Sequence, residues 1–146
     1  MADFMPYLLN QAAEATSLGF QKYYKANYGM LRTEWRVLFH LGRYGALTAT
    51  AICTKAQIHK TKVSRAVAAL EARRFLLREE MQSDRRQDLL SLTRKGQAAF
   101  NDLVAQAQRY NETLLAPFTA QDQDTLRRIL LKLAQMEQGD ARGIAP

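Results

Sequence analysis

The stretch from Thr48 to Gly96 decides the fold, and its sequence is TATAICTKAQIHKTKVSRAVAALEARRFLLREEMQSDRRQDLLSLTRKG. The Thr48 side chain is suited to cap a short helix, and a longer basic helix follows. After Arg74 the hydrophobic period changes from about 3.6 to about 2, which predicts two short strands joined by a polar connection. We therefore predict a mainly α-helical chain with one small β-hairpin.

The composition fits a globular protein that folds without covalent cross-links. The 146 residues are 47% hydrophobic, which is enough for one domain with its own core. A single cysteine excludes a disulfide framework and a multi-cysteine metal site. No apolar run reaches the ~18 residues that span a bilayer, and the N-terminal MADFMPYLLNQ lacks the basic start of a signal peptide. We expect a cytoplasmic protein with no membrane partner and no cofactor.

The excess positive charge is concentrated in the middle of the chain. Residues 43–97 contain twelve Lys or Arg and five Asp or Glu, whereas the rest of the chain contains nine of each. The whole formal excess of +7 therefore lies in this segment. A localised basic patch is typical of proteins that bind nucleic acid, although a basic solvated face would give the same count.

The basic helix, predicted from about His59 to Arg74, has two different faces, and we call it the recognition helix. At about 3.6 residues per turn, its inward stripe is Val63, Val67 and Leu70. The opposite side carries polar and basic side chains among small alanines, which suits close approach to a DNA major groove. The predicted DNA contacts are Lys60, Thr61, Lys62, Ser64 and Arg65. A solvated amphipathic helix would explain these charges, but not the short helix that precedes them at helix-turn-helix spacing.

The hairpin, with strands predicted over residues 75–82 and 87–92, ends in an arginine-rich tip. An arginine pair on such a tip can enter a minor groove, where narrow A·T-rich DNA deepens the negative potential. We predict that Arg85 and Arg86 bind DNA and that Asp84 orients an arginine by a charge-assisted pair. For the tip alone, a solvated turn is the alternative.

Long amphipathic helices flank this unit on both sides. The first is predicted over residues 4–27, and the second begins with Thr33 as its cap. After the hairpin, Thr93 caps a helix that runs to about residue 116, which at ~1.5 Å per residue is on the order of 35 Å long. Thr119 then starts a last amphipathic helix.

The apolar stripes of these outer helices are too long for one chain to cover, which favours pairing of two chains. We predict a dimerisation helix in residues 1–32, a DNA-binding lobe in residues 33–97 and further dimerisation helices in residues 98–146. Residues 139–146 are expected to fray.

Aromatic and basic residues near the junction of the first two helices suggest a ligand pocket. The candidates are Tyr24, Tyr28, Trp35, Arg36 and His40. Packing in the core or between subunits is the alternative for each of them. Cys53 follows Ile52 with no cationic cluster beside it in sequence, so we expect a buried small hydrophobe rather than a redox sensor.

The order of elements and a series of motifs resemble the MarR family of bacterial winged helix-turn-helix regulators. The matching motifs, in the family's order and spacing, are Val63-Ser64-Arg65, Leu70-Glu71, Arg78, Asp84-Arg85-Arg86 and Leu92-Thr93-Arg94-Lys95-Gly96. The resemblance covers nearly the whole chain. It implies a homodimer that binds a pseudo-palindromic operator, mostly as a repressor. In many members of the family, the protein releases its operator DNA when a small aromatic or phenolic compound binds. It also implies that Arg86 enters the minor groove with support from Asp84.

Three positions depart from the family pattern. Arg74 stands where the family commonly has Gly at the turn into the hairpin. A positive φ there would cost about 1 kcal/mol, so the turn is expected to differ from that of the family. His59 stands where a capping Ser or Asp is usual, which predicts a weaker start of the recognition helix. The peroxide-sensing branch carries its reactive cysteine near the first helix, where Cys53 does not lie.

Taken together, these features predict a sequence-specific DNA-binding transcriptional regulator with no catalytic residues. Lys55 and Lys95 are predicted to add phosphate contacts, and the partners are double-stranded DNA, a second copy of the chain and a small aromatic effector. One alternative is a winged-helix protein used for protein contacts, and another is architectural DNA binding without an effector. An enzyme is disfavoured because His40 and His59 lie on different predicted helices without a nucleophile, paired carboxylates or metal spacing nearby.

Overall fold

A computed structural model describes residues 2–136, which form six helices and one three-stranded sheet. The elements in chain order are α1 (Met5–Tyr28), α2 (Arg32–Tyr44), β1 (Leu47–Thr48), α3 (Ala49–Ala56), α4 (Lys60–Ala72), β2 (Leu76–Glu80), β3 (Asp88–Leu92), α5 (Arg94–Leu115) and α6 (Ala120–Ala134). The chain divides into two compact units between Arg109 and Tyr110. The first unit runs from α1 into α5, and the second contains the end of α5 and α6.

The predicted fold class is confirmed, and three of the predicted caps hold helix ends. The hydroxyl oxygen of Thr48 accepts the Ala51 N–H at 3.1 Å, which begins α3. In the same way, Thr93 accepts the Gly96 N–H at 3.0 Å, and Thr119 accepts the Asp122 N–H at 3.1 Å. Each bond satisfies one of the amide groups that a helix start leaves without a partner.

The predicted cap of the second helix is wrong. Leu31 is the N-cap of α2, and Thr33 lies inside its first turn. The carboxylate of Glu34 accepts the Leu31 N–H at 3.0 Å, and Glu34 is buried and paired with Arg73 of a distant segment. A tertiary ion pair therefore fixes this helix start, and the local sequence does not show it.

The sheet contains a strand that the sequence pattern missed. Its order is β1-β3-β2, with both pairings antiparallel. The missed strand β1 has only two residues, which is too short to show a period of two, and Leu47 pairs with Leu90. The strands of the hairpin are shorter than predicted, and their pairs run from Leu76↔Leu92 to Glu80↔Asp88.

The core of the first unit lies where α2, α3, α4 and the sheet meet. Its fully buried large side chains include Leu38, Ile52, Leu70, Leu76 and Leu90. Burial of each such side chain stabilises the fold by about 1.5–3 kcal/mol. Gly96 is buried against the hairpin base, where an added Cβ would lie 1.9 Å from the Phe75 carbonyl oxygen. Close packing therefore explains why the motif after β3 ends in glycine.

The second unit presents an uncovered apolar helix. The Gln123 side-chain amide donates to the Leu115 carbonyl at 2.8 Å and to the Phe118 carbonyl at 3.1 Å, which fixes the turn into α6. No described residue of α6 is buried. Its exposed large apolar side chains are Leu126, Ile129, Leu130 and Leu131. The predicted frayed tail, residues 139–146, lies outside the described residues.

Cys53 is less buried than predicted. On α3 the fully buried positions are Ile52 and Ala56, which lie four residues apart on one face of the helix. Cys53 follows Ile52 by one residue, so it lies at the edge of that face and is half-buried.

Candidate nucleic-acid interface

The two faces predicted for the recognition helix, α4, are present. Its buried residues are Val63, Ala66, Val67 and Leu70. The predicted contact residues are all exposed, and they are Lys60, Thr61, Lys62, Ser64 and Arg65. Ala68 and Ala72 on the same side are also exposed, so this face presents basic and hydroxyl groups between small side chains. It therefore combines donors with room for a base edge to approach.

His59 caps the recognition helix, contrary to the predicted weak start. Its ring Nδ1 accepts the Thr61 N–H at 3.2 Å from an extended backbone with φ −62° and ψ 144°. The ring nitrogen takes the part of the usual Ser or Asp oxygen. The other backbone N–H groups of this first turn point out of the helix start and are suited to donate hydrogen bonds to a phosphate.

The hairpin tip is held by Asp84 through the backbone rather than through an arginine side chain. The Asp84 carboxylate accepts the Arg86 backbone N–H at 3.0 Å, and the Gln87 side-chain amide donates to it at 3.4 Å. The charge-assisted pair predicted between Asp84 and an arginine is therefore not what the structure shows. A turn held at its backbone leaves Arg85 and Arg86 exposed at the tip. Arg85 makes only a long ion pair, 3.9 Å from Glu80.

Arg78 braces the hairpin against the recognition helix, a role that the sequence did not predict. Its guanidinium donates twice to the Glu71 carboxylate of α4, at 2.9 and 3.2 Å. It also donates to Asp88 of β3 at 3.3 Å. Hydrogen bonding to Glu71 raises the pKa of Arg78, so the group stays charged. Arg78 and Glu71 both belong to the family motifs, but only the fold brings them together.

The turn from α4 into β2 keeps the left-handed backbone that glycine favours, contrary to the different turn expected from Arg74. Arg74 has φ 62°, in the left-handed region that favours glycine. Its N–H donates to the Glu71 carbonyl at 2.9 Å, and its carbonyl accepts the Thr93 hydroxyl at 2.6 Å. Both sides of the residue are therefore fixed, and an arginine in this conformation costs about 1 kcal/mol relative to glycine.

Arg73 joins the end of the recognition helix to the first two helices. Its guanidinium pairs with the buried Glu34 at 2.5 Å and donates to the Tyr28 carbonyl at 2.7 Å. The Lys95 ammonium donates to the Arg73 carbonyl at 3.0 Å and lies 4.5 Å from the centre of the Phe75 ring. Lys95 therefore lies at the hairpin base, at the opposite end of the strands from the tip.

Two tyrosines of α1 share one carboxylate of α5. The hydroxyls of Tyr23 and Tyr28 donate to the same Asp102 oxygen, at 2.9 and 2.6 Å. Burial, together with the hydrogen bond to Asp102, raises the pKa of Tyr28 to about 12. The cluster therefore favours neutral tyrosines and fixes α1 against α5.

Four of the five predicted pocket residues lie on α2 or pack against it, and the fifth, Tyr28, does not. Tyr24 is buried and packs with Trp35, whose ring centre is 6.1 Å away. Arg36 donates to the Ala56 carbonyl, and the His40 ring contacts the Arg36 carbonyl at 2.7 Å. Tyr28 points elsewhere, toward Asp102 and Phe75.

Lys55, the remaining predicted phosphate contact, lies at the end of α3. Its ammonium is 4.5 Å from the centre of the exposed Tyr44 ring, and the Arg43 guanidinium is 5.5 Å from the same ring.

Among residues 2–136, no group of three or more His, Cys, Asp or Glu is arranged to hold a metal ion. In the same range, no helix combines the length and the apolar character needed to cross a membrane.

A short helix, a recognition helix with an exposed basic face and a hairpin with an exposed arginine tip together define a winged helix-turn-helix. A family model described as "MarR family" matches residues 28–87, which contain the short helix, the recognition helix, the first strand of the hairpin and its tip. This match and the fold bear out the resemblance to the MarR family of DNA-binding transcriptional regulators that the sequence motifs predicted.

Relatives of known description agree with this assignment. The homoprotocatechuate degradative operon repressor of Escherichia coli is 25% identical over 146 residues, covering 98% of both chains. A MarR/EmrR family transcriptional regulator from Acinetobacter sp. ADP1 is also 25% identical, with a TM-score of 0.79 over 89% of this chain and 92% of that one. The fold is shared with Bordetella bronchiseptica BpsR, whose DNA binding is regulated by 6-hydroxynicotinic acid. That chain is 20% identical, with a TM-score of 0.84 over 94% of this chain and 97% of that one.

Proposed function

We propose that the protein is a homodimeric repressor that binds a pseudo-palindromic operator and is released by a small aromatic ligand. The observation that carries this proposal is the exposed basic face of α4 beside an arginine tip whose turn is held by Asp84. Both features lie in the segment that holds all of the chain's excess positive charge. A protein that only contacts other proteins has no need of this charge distribution.

In this proposal the recognition helix enters a major groove. Arg65 donates its guanidinium fork to a guanine, while Thr61 and Ser64 contact bases or phosphates. Lys60 and Lys62, at the start of the helix, neutralise phosphates together with the free amide groups of the first turn. The exposed alanines on the same face allow the helix to approach the bases closely.

The hairpin tip supplies the second contact, in the flanking minor groove. Arg86 enters the groove, Arg85 contacts its edge, and Asp84 supports both through its bond to the Arg86 backbone. Lys55 adds a phosphate contact from the end of α3. Lys95 lies at the hairpin base, about 17 Å from the tip at ~3.3 Å per strand residue. This position supports a role for Lys95 other than a phosphate contact.

Two copies of the chain pair through their outer helices. Exposed large apolar side chains on α1 and α6 supply the surface for this pairing, and they are Phe4, Met5, Leu8, Leu18, Leu126, Ile129 and Leu130. A two-fold dimer presents its recognition helices to two half-sites about 10 bp apart, which is why we expect a pseudo-palindromic operator.

The ligand acts by preferring a dimer geometry that no longer matches DNA, and it shifts binding only by its difference in affinity for the two forms. The repressor function of the E. coli relative and the regulation of BpsR by 6-hydroxynicotinic acid support this mode of action. The proposed ligand contacts are Tyr24, Trp35, Arg36 and His40. Trp35 and His40 are half-buried on α2, with the exposed Arg36 between them.

Selection of bound sequences from randomised duplexes, followed by titration at several salt concentrations, tests the DNA-binding proposal. We expect an enriched two-fold sequence, affinity that falls with salt, and a loss of about tenfold or more for Arg65→Ala with relaxed preference at one base pair. Lys22→Ala, which removes one positive charge from the exposed side of α1, is the control and should bind as the wild type does. Salt-dependent binding without enrichment would support the architectural alternative, and no binding would support the protein-contact alternative.

A further inference from the structure

The Arg73 side chain bonds to three helices at the end of the recognition helix. Its guanidinium pairs with the Glu34 carboxylate, in the first turn of α2, at 2.5 Å, and it donates to the Tyr28 carbonyl, at the end of α1, at 2.7 Å. The Nε of the same group donates to the Ala69 carbonyl of α4 at 3.5 Å. Because a guanidinium is planar and rigid, these bonds fix the end of α4 relative to α1 and α2.

The Glu34–Arg73 pair is sheltered from water. Glu34 is only 7% exposed, and one of its carboxylate oxygens accepts both the Leu31 N–H at 3.0 Å and the Arg73 guanidinium. From the other side, the Lys95 ammonium donates to the Arg73 carbonyl at 3.0 Å. Displacement of Arg73 would leave a buried carboxylate without its countercharge, so the junction favours a single geometry.

In a two-fold dimer, the geometry of this junction sets the distance between the two recognition helices. Arg73 ends α4, whereas α1 carries part of the proposed dimer surface, namely Phe4, Met5, Leu8 and Leu18. Neighbouring base pairs are about 3.4 Å apart, and each turns the groove by about 35°. One base pair more or less between half-sites therefore requires the recognition helices to move by several ångströms and to rotate.

We propose that the Glu34–Arg73 pair is a positioning element that sets the half-site spacing accepted by the dimer. The inference rests on the proposed dimeric operator binding, and it concerns the distance between half-sites rather than the bases within them. With the pair intact, α4 keeps one angle to α1, so DNA of another spacing must be distorted to bind. Without the pair, α4 adopts several angles to α1, and operators of several spacings bind with similar affinity.

Paired substitutions test this role without leaving a buried charge. Glu34→Gln/Arg73→Gln removes both charges, whereas removal of one partner would destabilise the fold through the other. Glu34→Gln alone is the conservative variant, because its side-chain oxygen still accepts from Leu31 and Arg73. The matched control is Asp124→Asn/Arg127→Gln, which removes an exposed ion pair within α6. Urea unfolding checks that each variant is folded.

Affinity is measured for the selected operator and for two versions with one base pair inserted or removed between the half-sites. The wild type, Glu34→Gln and the control should lose about tenfold or more for either change. The double variant should lose at most about threefold and should keep the base preference within each half-site. A purely structural role would lower its affinity for all three DNAs by the same factor, so the ratio between them decides.

Spin labels provide a second readout that needs no DNA. With Ala68→Cys labelled in a Cys53→Ser background, the distance between the two recognition helices of a dimer should be narrowly distributed with the pair and broader in the double variant. An affinity ratio or a distance distribution that is unchanged in the double variant overturns the inference, although wild-type operator binding stands. Absence of wild-type DNA binding overturns the proposed function and this inference together, and the wild-type titration alone reveals it.

Discussion

Asp84 organises the hairpin tip by accepting the Arg86 backbone N–H, and the arginines beside it stay exposed to solvent. His59 likewise caps α4 with a ring nitrogen in place of the more usual hydroxyl or carboxylate. At this scale the sequence predicted that these polar side chains lie at the tip and at the helix start, but it did not predict the bonds that Asp84 and His59 make. The sequence showed that a positive φ is costly at Arg74, but not that the turn adopts it. The Leu31 cap depends on a pair between Glu34 and Arg73 that only folding brings together.

The Tyr28–Asp102 bond predicts a stability change at high pH. The raised pKa of Tyr28, about 12 against about 10 in an unfolded chain, means that the fold favours the protonated phenol. The stabilisation is therefore complete below about pH 10 and is lost as pH rises through 12. Tyr28→Phe removes the contribution of Tyr28 to this pH dependence and lowers the free energy of unfolding by about 1 kcal/mol at neutral pH.

Urea unfolding of the wild type and Tyr28→Phe from pH 8 to pH 12 measures this effect. The difference in free energy of unfolding should be constant below about pH 10 and should shrink above it. Tyr7→Phe, which changes an exposed tyrosine, is the control. Parallel curves for the wild type and Tyr28→Phe up to pH 12 would contradict the account.

Among the elements, Arg78 joins the hairpin to the recognition helix through its bonds to Glu71 and Asp88. The helical period correctly predicted the buried face of α4, since burial follows that period whenever one side packs on a core. It could not predict β1, whose two residues carry too little pattern, nor the Arg78 brace, which joins groups on α4, β2 and β3. Pairs between elements are set by packing geometry and leave no periodic signal.

Arg78→Gln should loosen the hairpin with little effect on global stability. The pairs of Arg78 are partly exposed, so their loss costs at most about 1 kcal/mol. Amide hydrogen exchange should become faster in β2 and β3, and operator affinity should fall several-fold because a mobile tip must be ordered on binding. Arg94→Gln removes an exposed arginine from the start of α5 as a control. Unchanged exchange in the hairpin would show that the brace is not needed.

For the molecule as a whole, charge and apolar surface lie in different segments, and each supports one part of the proposed function. The excess positive charge is confined to residues 43–97, while most of the large exposed apolar side chains lie on α1 and α6. Both distributions were predictable from sequence, because charge counts and apolar stripes do not depend on detailed geometry. The grouping of the proposed ligand contacts could not be predicted in this way, because Tyr24 and Tyr28 are close in sequence but contact different neighbours.

Ile129→Glu should separate the proposed dimer. This side chain is 44% exposed in a single chain and lies on the apolar stripe of α6, so a charge there would be buried without a partner on pairing. In sedimentation velocity, the wild type should behave as a dimer and the variant should dissociate at least about tenfold more readily. Gln121→Glu adds the same charge to a polar position of the same helix and should remain dimeric. A wild-type monomer at micromolar concentration would contradict the proposed assembly.

Footprinting of the wild type and Arg86→Ala on the selected operator tests the central claim most directly, because it separates the helix contact from the tip contact. For the wild type we predict major-groove protection at two half-sites about 10 bp apart, with minor-groove protection flanking them. Arg86→Ala should lose the flanking protection and about tenfold or more in affinity, while the major-groove protection persists at higher protein concentration. A footprint and an affinity unchanged by Arg86→Ala would contradict the account.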